Sequence, residues 1–185
     1  MPLLKSDTHT HTIHDIYSLP EGKRAELIHG HIYDMAPPSR IHQELVSQFT
    51  KIIGQYIDKS NGSCKVYPAP FAVFLNQDDK TYIEPDISVI CDKTKLTDKG
   101  CSGAPDFIIE IVSPASRKMD YSTKNALYSD SGVREYWIVD PEKKRSTIYR
   151  YEEDSAPAIF SFDQTITVGI YGNLNINIHE ILEKG

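Results

Sequence analysis

One charged residue inside an apolar run constrains this sequence more than any other feature. The run from Phe107 to Val112 is typical of a buried β-strand, yet Glu110 lies in its middle. Burying an ionised carboxylate without a partner costs several kcal/mol, so Glu110 must be protonated, paired with a cation or bound to a metal. The run therefore predicts a buried charged site.

The residues after this strand bring further charges towards it. Ser113-Pro114 ends the strand, and the stretch from Ser116 to Ser131 has helical spacing. Asp120, Lys124 and Tyr128 fall on one face of that helix. Two charged groups thus point from a helix towards the end of a strand that already carries an acid. This arrangement is typical of a metal-dependent hydrolytic site.

The length and composition indicate one globular domain. With 185 residues, of which 39% are hydrophobic, the chain can bury a single core. Residues 1–16 lack clear periodicity and are predicted to be a flexible segment, and residues 17–185 to form the domain. His9, His11 and His14 could chelate a transition metal, but a flexible terminus is the favoured interpretation.

Charge and cysteine usage limit the function classes. A formal net charge of −6 argues against a protein that coats nucleic acid by charge alone. It does not exclude a nuclease, because a local basic patch can still meet phosphates. The three cysteines, Cys64, Cys91 and Cys101, have no C-x-x-C spacing, which favours free thiols in the cytoplasm. We expect no membrane span and no signal segment.

The remaining patterns predict an α/β (α+β) fold with a mixed sheet flanked by helices. A hairpin over Ala25–Met35 precedes a helix over Ile41–Lys59 that Ser39 caps. Strands follow, and Asp92–Gly103 is predicted to be a surface loop or mobile flap. The further predicted elements are a strand bent near Pro68 and Pro70 within Cys64–Leu75, a strand over Tyr82–Cys91 with Ile83, Ile87 and Val89 on one face, a hairpin of Val133–Val139 with Lys144–Tyr151, a β pair of Ser155–Asp163 with Thr165–Ile170, and a short helix over His179–Leu182.

Strand geometry decides which acid can share an ion with Glu110. Asp106 lies four residues earlier in the same strand, so the two Cα atoms are roughly 13 Å apart, too far for a shared ion. Asp86 can lie on a neighbouring strand, about 4.8 Å away, if the register brings both side chains to one face. Asp86 is therefore the predicted partner, and Pro105-Asp106 is predicted to start a strand.

A lysine near such an ion would orient water for attack on phosphorus. The position two residues after Glu110 is Val112, so Lys124, braced by Asp120, is the predicted replacement. Its alternative is an ordinary surface ion pair of the helix. Glu44, in the first turns of the predicted helix, either assists catalysis or simply lies favourably near the positive end of the helix dipole.

Four ordered motifs resemble a known family. They are AELIHGHIYDMAPPS (Ala25–Ser39), EPDISVI (Glu84–Ile90), PDFIIEIVSP followed by D-x-x-x-K (Pro105–Lys124) and GVREYWIVDP (Gly132–Pro141). The chain, from about Ile13 onwards, resembles the Uma family of restriction-endonuclease-like proteins in the PD-(D/E)xK nuclease superfamily. The resemblance implies a restriction-endonuclease-like core with an added N-terminal β-hairpin.

The resemblance also implies site residues. Asp86 and Glu110 would be the metal ligands, Lys124 a lysine relocated to the helix, and Glu44 the acid that some superfamily members carry on the first core helix. The chain departs from the superfamily pattern at Val112, where a lysine is usual.

The preferred hypothesis is an Mg²⁺-dependent DNA endonuclease, with Mn²⁺ as the alternative ion and the backbone carbonyl of Ile111 as a further ligand. A homodimer is expected because a double-stranded cut needs two sites. The competing hypotheses are a catalytically inactive nuclease fold that binds nucleic acid or a protein partner, and a histidine-rich metal-binding protein. Aromatic residues near the last hairpin, Tyr136, Trp137, Tyr149 and Tyr151, are expected to pack in the core rather than stack on bases.

Overall fold

A computed structural model describes residues 10–153 and 155–183 of the chain. Its centre is a six-stranded mixed sheet with the strand order β11-β10-β9-β8-β5-β3. The strands are β3 (Lys65–Pro68), β5 (Ile87–Ile90), β8 (Phe107–Ile111), β9 (Glu135–Asp140), β10 (Arg145–Arg150) and β11 (Ala158–Ser161). Only the β8–β9 pair is parallel, and the other neighbours in this sheet are antiparallel. The mixed α/β architecture matches the fold class expected from the sequence.

Smaller elements surround this sheet. The helices are α1 (Ile13–Tyr17), α2 (Arg40–Lys59), α3 (Asn125–Ser131), which a π-helical turn over Met119–Lys124 precedes, and α4 (Ile178–Glu183). A hairpin is formed by β1 (Ala25–Ile28) and β2 (His31–Asp34), a three-stranded sheet by β4 (Val73–Phe74), β6 (Leu96–Thr97) and β7 (Gly100–Ser102), and a further pair by β12 (Thr165–Thr167) and β13 (Asn175–Asn177). The N-terminal hairpin confirms the prediction for Ala25–Met35.

Helix α2 covers one face of the large sheet. Ser39 caps it, because the Ser39 side chain accepts a hydrogen bond from the backbone N–H of His42. Its buried stripe, which includes Leu45, Phe49 and Ile53, packs on strand residues in one apolar cluster. Each such side chain contributes about 1.5–3 kcal/mol when it is fully buried. The stripe fixes α2 across the sheet and leaves the first turn of α2 at the sheet end.

Strand β8 separates two apolar clusters. Phe107, Ile109 and Ile111 belong to the cluster beneath α2, whereas Ile108 belongs to the cluster that contains Leu127 and Tyr128 of α3. Because side chains alternate along a strand, Glu110 shares the face of Ile108 and points towards α3. Glu110 therefore lies beneath α3 and the turn before it, on the side where the sequence predicted Asp120 and Lys124.

The register of β5 and β8 places the two candidate ligands side by side. Ile87 pairs with Ile109 and Ser88 with Ile108 in this antiparallel pair. Extending that register by one residue sets Asp86 opposite Glu110, on the same face of the sheet. Ile83 does not share the face of Ile87 as expected and belongs to the α3-side cluster instead. The strand is interrupted at Glu84-Pro85, so the alternation of side chains between the two faces does not continue from Ile83 to Ile87.

The predicted β pair of Ser155–Asp163 with Thr165–Ile170 is wrong. Strand β11 pairs with β10 rather than with the next segment, and β12 pairs with β13.

Residues 92–103 are not a flap. Strands β6 and β7 lie there, Cys101 is fully buried, and its backbone N–H donates a hydrogen bond to the carbonyl of Ala72. Polar composition suggested a loop at this stretch, but pairing with β4 supplies its hydrogen bonds.

The prediction of three free thiols is also wrong. Cys64 and Cys91 form a disulfide, and only Cys101 of the three is free. Lys65 and Ile90 pair across β3 and β5, so the two cysteines follow as the next opposed residues. Because disulfides persist mainly in oxidising compartments, the cytoplasmic location loses this support and stays a prediction.

The chain terminus is partly described. Residues 1–9, which include His9, lie outside the described residues, so the predicted flexible segment stays a prediction there. Ile13–Tyr17 instead forms α1, and Ile16 of that helix is buried against Leu27 and Tyr82. Within the described ranges, no helix is long and apolar enough to cross a membrane.

Thiol counting tests the cysteine arrangement. We expect the denatured, unreduced protein to release one thiol equivalent to Ellman's reagent, from Cys101, and the reduced protein to release three. The native protein should react slowly, because burial raises the pKa of Cys101 to about 11 and leaves little thiolate. Three equivalents from the denatured protein without reductant would contradict the disulfide.

Candidate active site

A cleft of about 660 Å³ lies at the end of the sheet where Asp86 and Glu110 meet. Its walls come from the N-terminal hairpin, the first turn of α2 and the segment that follows β8. The side chains on its floor are mostly charged: Glu26, Glu84, Asp86, Glu110, Asp120, Arg24 and Lys124. The cleft therefore combines an apolar scaffold with a charged floor.

Asp86 is held by backbone and side-chain donors. Its Oδ2 accepts a hydrogen bond from the backbone N–H of Ile111 at 2.7 Å and lies 3.0 Å from Nε2 of His42. Its own backbone N–H donates to Oε2 of Glu110 at 3.3 Å. No described residue donates to Oδ1 of Asp86, so one carboxylate oxygen remains for another ligand.

Glu110 is enclosed on the opposite side by helix residues. Its Oε1 accepts hydrogen bonds from Nζ of Lys124 at 2.9 Å and from the hydroxyl of Tyr128 at 2.7 Å. Glu110 and Lys124 are 4% and 5% exposed, which excludes the interpretation of Lys124 as an ordinary surface pair. The structure therefore brings the predicted strand acid and helix lysine into direct contact.

Lys124 is also bonded to two further carboxylates. Its Nζ lies 2.9 Å from Oε2 of Glu26 on β1 and 3.7 Å from Oδ1 of Asp120, one turn earlier. The π-helical turn carries Asp120 and Lys124, and π-helical insertions are frequent at functional sites. Glu26 also accepts a hydrogen bond from the backbone N–H of Glu84. One ammonium group thus joins the hairpin, the strand and the helix.

The pKa values follow from this crowding. Burial raises the pKa of Glu110 well above its ordinary value, although the charge of Lys124 opposes the change. Burial favours a lower pKa for Lys124, but Glu110, Glu26 and Asp120 together raise that pKa well above its ordinary value. Burial also raises the pKa of Asp120 to about 6. Lys124 is therefore charged, whereas Glu110 and Asp120 hold protons more readily than ordinary carboxyl groups, because they are buried and share one ammonium with Glu26.

The donor set fits a hard divalent cation. Mg²⁺ is usually held by one or two carboxylates together with water and substrate oxygens. Asp86 and Glu110 supply two adjacent carboxyl groups, and a bound cation would favour their ionised forms, as Lys124 does for Glu110. Among the described residues, no group of three or more His, Cys, Asp or Glu side chains could hold a metal ion. A cation at this place would therefore need water or substrate oxygens besides the two carboxylates.

The structure does not bring every predicted residue to the cleft. Glu44 pairs with Arg40, one turn earlier on α2, and is absent from the described lining of the cleft. Ile111 lines the cleft, and its backbone N–H bonds to Asp86, while a role for its carbonyl stays a prediction. Of the N-terminal histidines, His11 and His14 are described, and His11 lies 3.7 Å from Asp15.

Two residues of the site were missed. Glu26 lies inside the apolar run Ala25–Ile28, whose four residues are all buried, so the signal that marked Glu110 could have found it. His42 lies in the first turn of α2, and only the fold brings it to Asp86. The aromatic prediction is confirmed, because Tyr136 and Trp137 are fully buried, and Tyr149 and Tyr151 pack against the core cluster on the α3 side.

Three comparisons place this geometry among known proteins. A family model described as "Putative restriction endonuclease" matches residues 12–177. The crystal structure of a putative nuclease from Anabaena variabilis is similar to this chain with a TM-score of 0.76 and 20% identity, over 93% of this chain and 97% of that one. The uncharacterized protein slr1290 of Synechocystis is 21% identical over 141 residues, which cover 76% of this chain and 73% of that protein. The structural likeness shows the shared fold.

Substitutions in the buried charge cluster should have unequal effects on stability. Lys124→Met leaves three carboxylates without their cation, so we expect the free energy of unfolding to fall by about 3–5 kcal/mol. Glu110→Gln removes one charge from an over-acidic cluster, keeps an acceptor for Tyr128 and should be neutral or stabilising. Urea unfolding at neutral pH in EDTA, followed by Trp137 fluorescence, measures both. Equal stability of Lys124→Met and the wild type would contradict this interpretation.

Proposed function

The chain belongs to the Uma2 family, described as putative restriction endonucleases, and we propose that it is a metal-dependent endonuclease that hydrolyses phosphodiester bonds in DNA. The observation that carries the proposal is the meeting of Asp86, Glu110 and Lys124 at one end of the sheet. Two adjacent carboxylates beside a buried, charged lysine are suited to in-line attack on a phosphate. The fold alone would not carry this conclusion.

In this proposal Asp86 and Glu110 would hold Mg²⁺ or Mn²⁺, with the carbonyl of Ile111 as a further ligand. When bound, such an ion lowers the pKa of a coordinated water and neutralises charge that develops on the phosphate. The hydrogen bond from the Ile111 N–H and the contact with His42 fix the orientation of the Asp86 carboxylate. The Oδ1 atom of Asp86 is therefore already oriented to bind a metal ion.

Lys124 orients the attacking water and stabilises negative charge on the phosphate oxygens. A charged ammonium donates hydrogen bonds and accepts none, so Lys124 acts as a donor rather than as the base. Glu26 and Asp120 keep the pKa of Lys124 high and fix the position of its Nζ. Glu44 pairs with Arg40 outside the cleft lining, so this mechanism gives it no step, and its assisting role stays a prediction.

The proposed substrate is DNA, and the proposed assembly is a homodimer. One site can break one strand at a time, so a double-strand cut needs two sites related by symmetry. Two-fold symmetry of the protein would match the symmetry of a DNA duplex. Formation of linear rather than nicked plasmid would support the dimer.

One observation favours a second candidate, a nuclease fold that binds nucleic acid without cutting it. Oε1 of Glu110 is already engaged by both Lys124 and Tyr128, so the cluster can also act as a structural ion-pair network. In that case DNA affinity would fall steeply with salt, but no hydrolysis would follow.

A plasmid cleavage assay separates the two candidates. We expect the wild type to cut supercoiled plasmid with Mg²⁺ or Mn²⁺ and not with EDTA. Asp86→Asn and Glu110→Gln should lower the rate by about 100-fold or more, because each removes a carboxylate that would hold the metal ion. Asp58→Asn, which removes an exposed acid near the far end of α2, is the matched control and should keep the wild-type rate.

Two outcomes would contradict the nuclease proposal. One is cleavage by Asp86→Asn and Glu110→Gln at the wild-type rate, which would point to a contaminating nuclease. The other is binding of DNA by the wild type without cleavage under any divalent ion, which would support the second candidate instead.

A further inference from the structure

The turn between β9 and β10 carries a run of cations beside the cleft. Pro141 and Glu142 line the cleft, and Lys143, Lys144 and Arg145 follow them directly. Lys143 and Lys144 are exposed. The turn lies at the same end of the sheet as Glu110, because β9 runs parallel to β8 and ends at Asp140.

A second segment brings another lysine to this turn. Nε and Nη2 of Arg117 donate hydrogen bonds to Asp140, and Nη2 also bonds to Glu142. These bonds hold the segment after β8 against the β9–β10 turn, and the exposed Lys118 follows Arg117 directly in that segment. Because Arg117 is paired with both Asp140 and Glu142, we do not count it among the unpaired cations of this surface. We call Lys118, Lys143, Lys144 and Arg145 the basic rim.

The basic rim has charge to spare. Its four members form no ion pair with any carboxylate of the described residues, and Nε of Arg145 is buried with no hydrogen-bond partner among them. Arg145 alternates with the buried Ser146 along β10, so it lies on the face of the sheet that carries Thr147 and the π-helical turn. Asp140 is the acid that interacts with Lys143, and it is already paired with Arg117, so an anion at this edge would still meet a surplus of positive charge.

The backbone at Lys144 is a second, independent observation. Lys144 has φ of 48°, a left-handed conformation that normally favours glycine or asparagine. A lysine at this position costs stability relative to glycine and buries nothing in return, since it is exposed. The turn thus presents an exposed positive charge at a position where neither burial nor backbone conformation accounts for the lysine.

The distance from the reacting centre suits the neighbouring phosphates of one DNA strand. Glu110 pairs with Ile138, and Arg145 pairs with Asp140, two strand spacings away from β8. This register gives a Cα separation of roughly 12 Å between Glu110 and Arg145. At a rise of about 3.4 Å per nucleotide along a strand, that distance spans a few phosphates.

We propose that the basic rim binds DNA phosphates that flank the scissile one, and so docks the duplex against a cleft whose floor is acidic. The inference rests on the proposed nuclease function. Carboxylates outnumber cations on the floor of the cleft, and the whole chain has a net charge of −6, so a local basic surface must supply the attraction for a polyanion. The rim positions the DNA backbone and reads no sequence.

Fluorescence anisotropy with a short fluorescein-labelled DNA duplex, in EDTA to prevent cleavage, tests the rim. In the triple variant Lys118→Gln/Lys143→Gln/Lys144→Gln we expect roughly a tenfold or greater loss of affinity at low salt. The slope of log affinity against log salt should fall by about 0.9 for each phosphate that the variant no longer neutralises. Lys59→Gln, an exposed lysine at the far end of α2, is the matched control and should keep the wild-type affinity and slope.

Lys144→Gly separates binding from folding. Glycine relieves the left-handed conformation, so the thermal midpoint should rise by about 2–4 °C while DNA affinity falls. A loss of affinity in a more stable protein cannot come from unfolding. Unchanged affinity and salt slope in the triple variant, or an equal loss in Lys59→Gln, would overturn the inference.

The outcome also distinguishes this inference from the proposed function. If the wild type cuts DNA but the triple variant binds DNA as tightly as the wild type, only the proposed role of the basic rim is refuted. Rim-dependent binding without cleavage under any divalent ion would refute the nuclease and keep the rim as a DNA-binding surface. A wild type that neither binds nor cuts DNA would refute both.

Discussion

The buried contact between Lys124 and Glu110 is the interaction on which the rest of the site depends. An ionised carboxylate buried in a β-sheet needs a compensating cation, and the Nζ of Lys124 lies 2.9 Å from Oε1 of Glu110. Replacing this pair with apolar residues would often leave a protein as stable or more stable. Stability alone therefore does not explain its presence in the core, and this supports the proposed catalytic role of the pair.

Several elements are arranged around this pair. The N-terminal hairpin contributes Glu26, the π-helical turn contributes Asp120 and Lys124, and the edge of β5 contributes Asp86. The hairpin is anchored nearby, since Leu27 and Tyr82 exchange backbone hydrogen bonds. The N-terminal hairpin is thus part of the charged site, because Glu26 on this hairpin is one of the buried partners of Lys124.

Much of this site could be predicted from sequence because its signals are local. An acid in an apolar run, a Ser-Pro strand end and helical spacing of Asp120 and Lys124 each involve few residues. The pairing of Asp86 with Glu110 was predicted only on the condition of a suitable register, which the β5–β8 pair supplies. Long-range partners had no such signal. The contact of His42 with Asp86, the pairing of β11 with β10 and the Cys64–Cys91 disulfide depend on how distant segments meet, which periodicity does not encode. Glu26 is different, because its apolar neighbours carried the same signal as those of Glu110.

Anomalous diffraction from a crystal soaked with Mn²⁺ tests the central claim most directly. The account predicts one strong peak about 2.1 Å from oxygens of both Asp86 and Glu110, with Lys124 retained beside it. Ordered Mn²⁺ elsewhere on the molecule, with Nζ of Lys124 still seated between Glu26 and Glu110 and no peak at Asp86, would contradict it. In that case the charged cluster would be a structural ion-pair network within a nuclease fold.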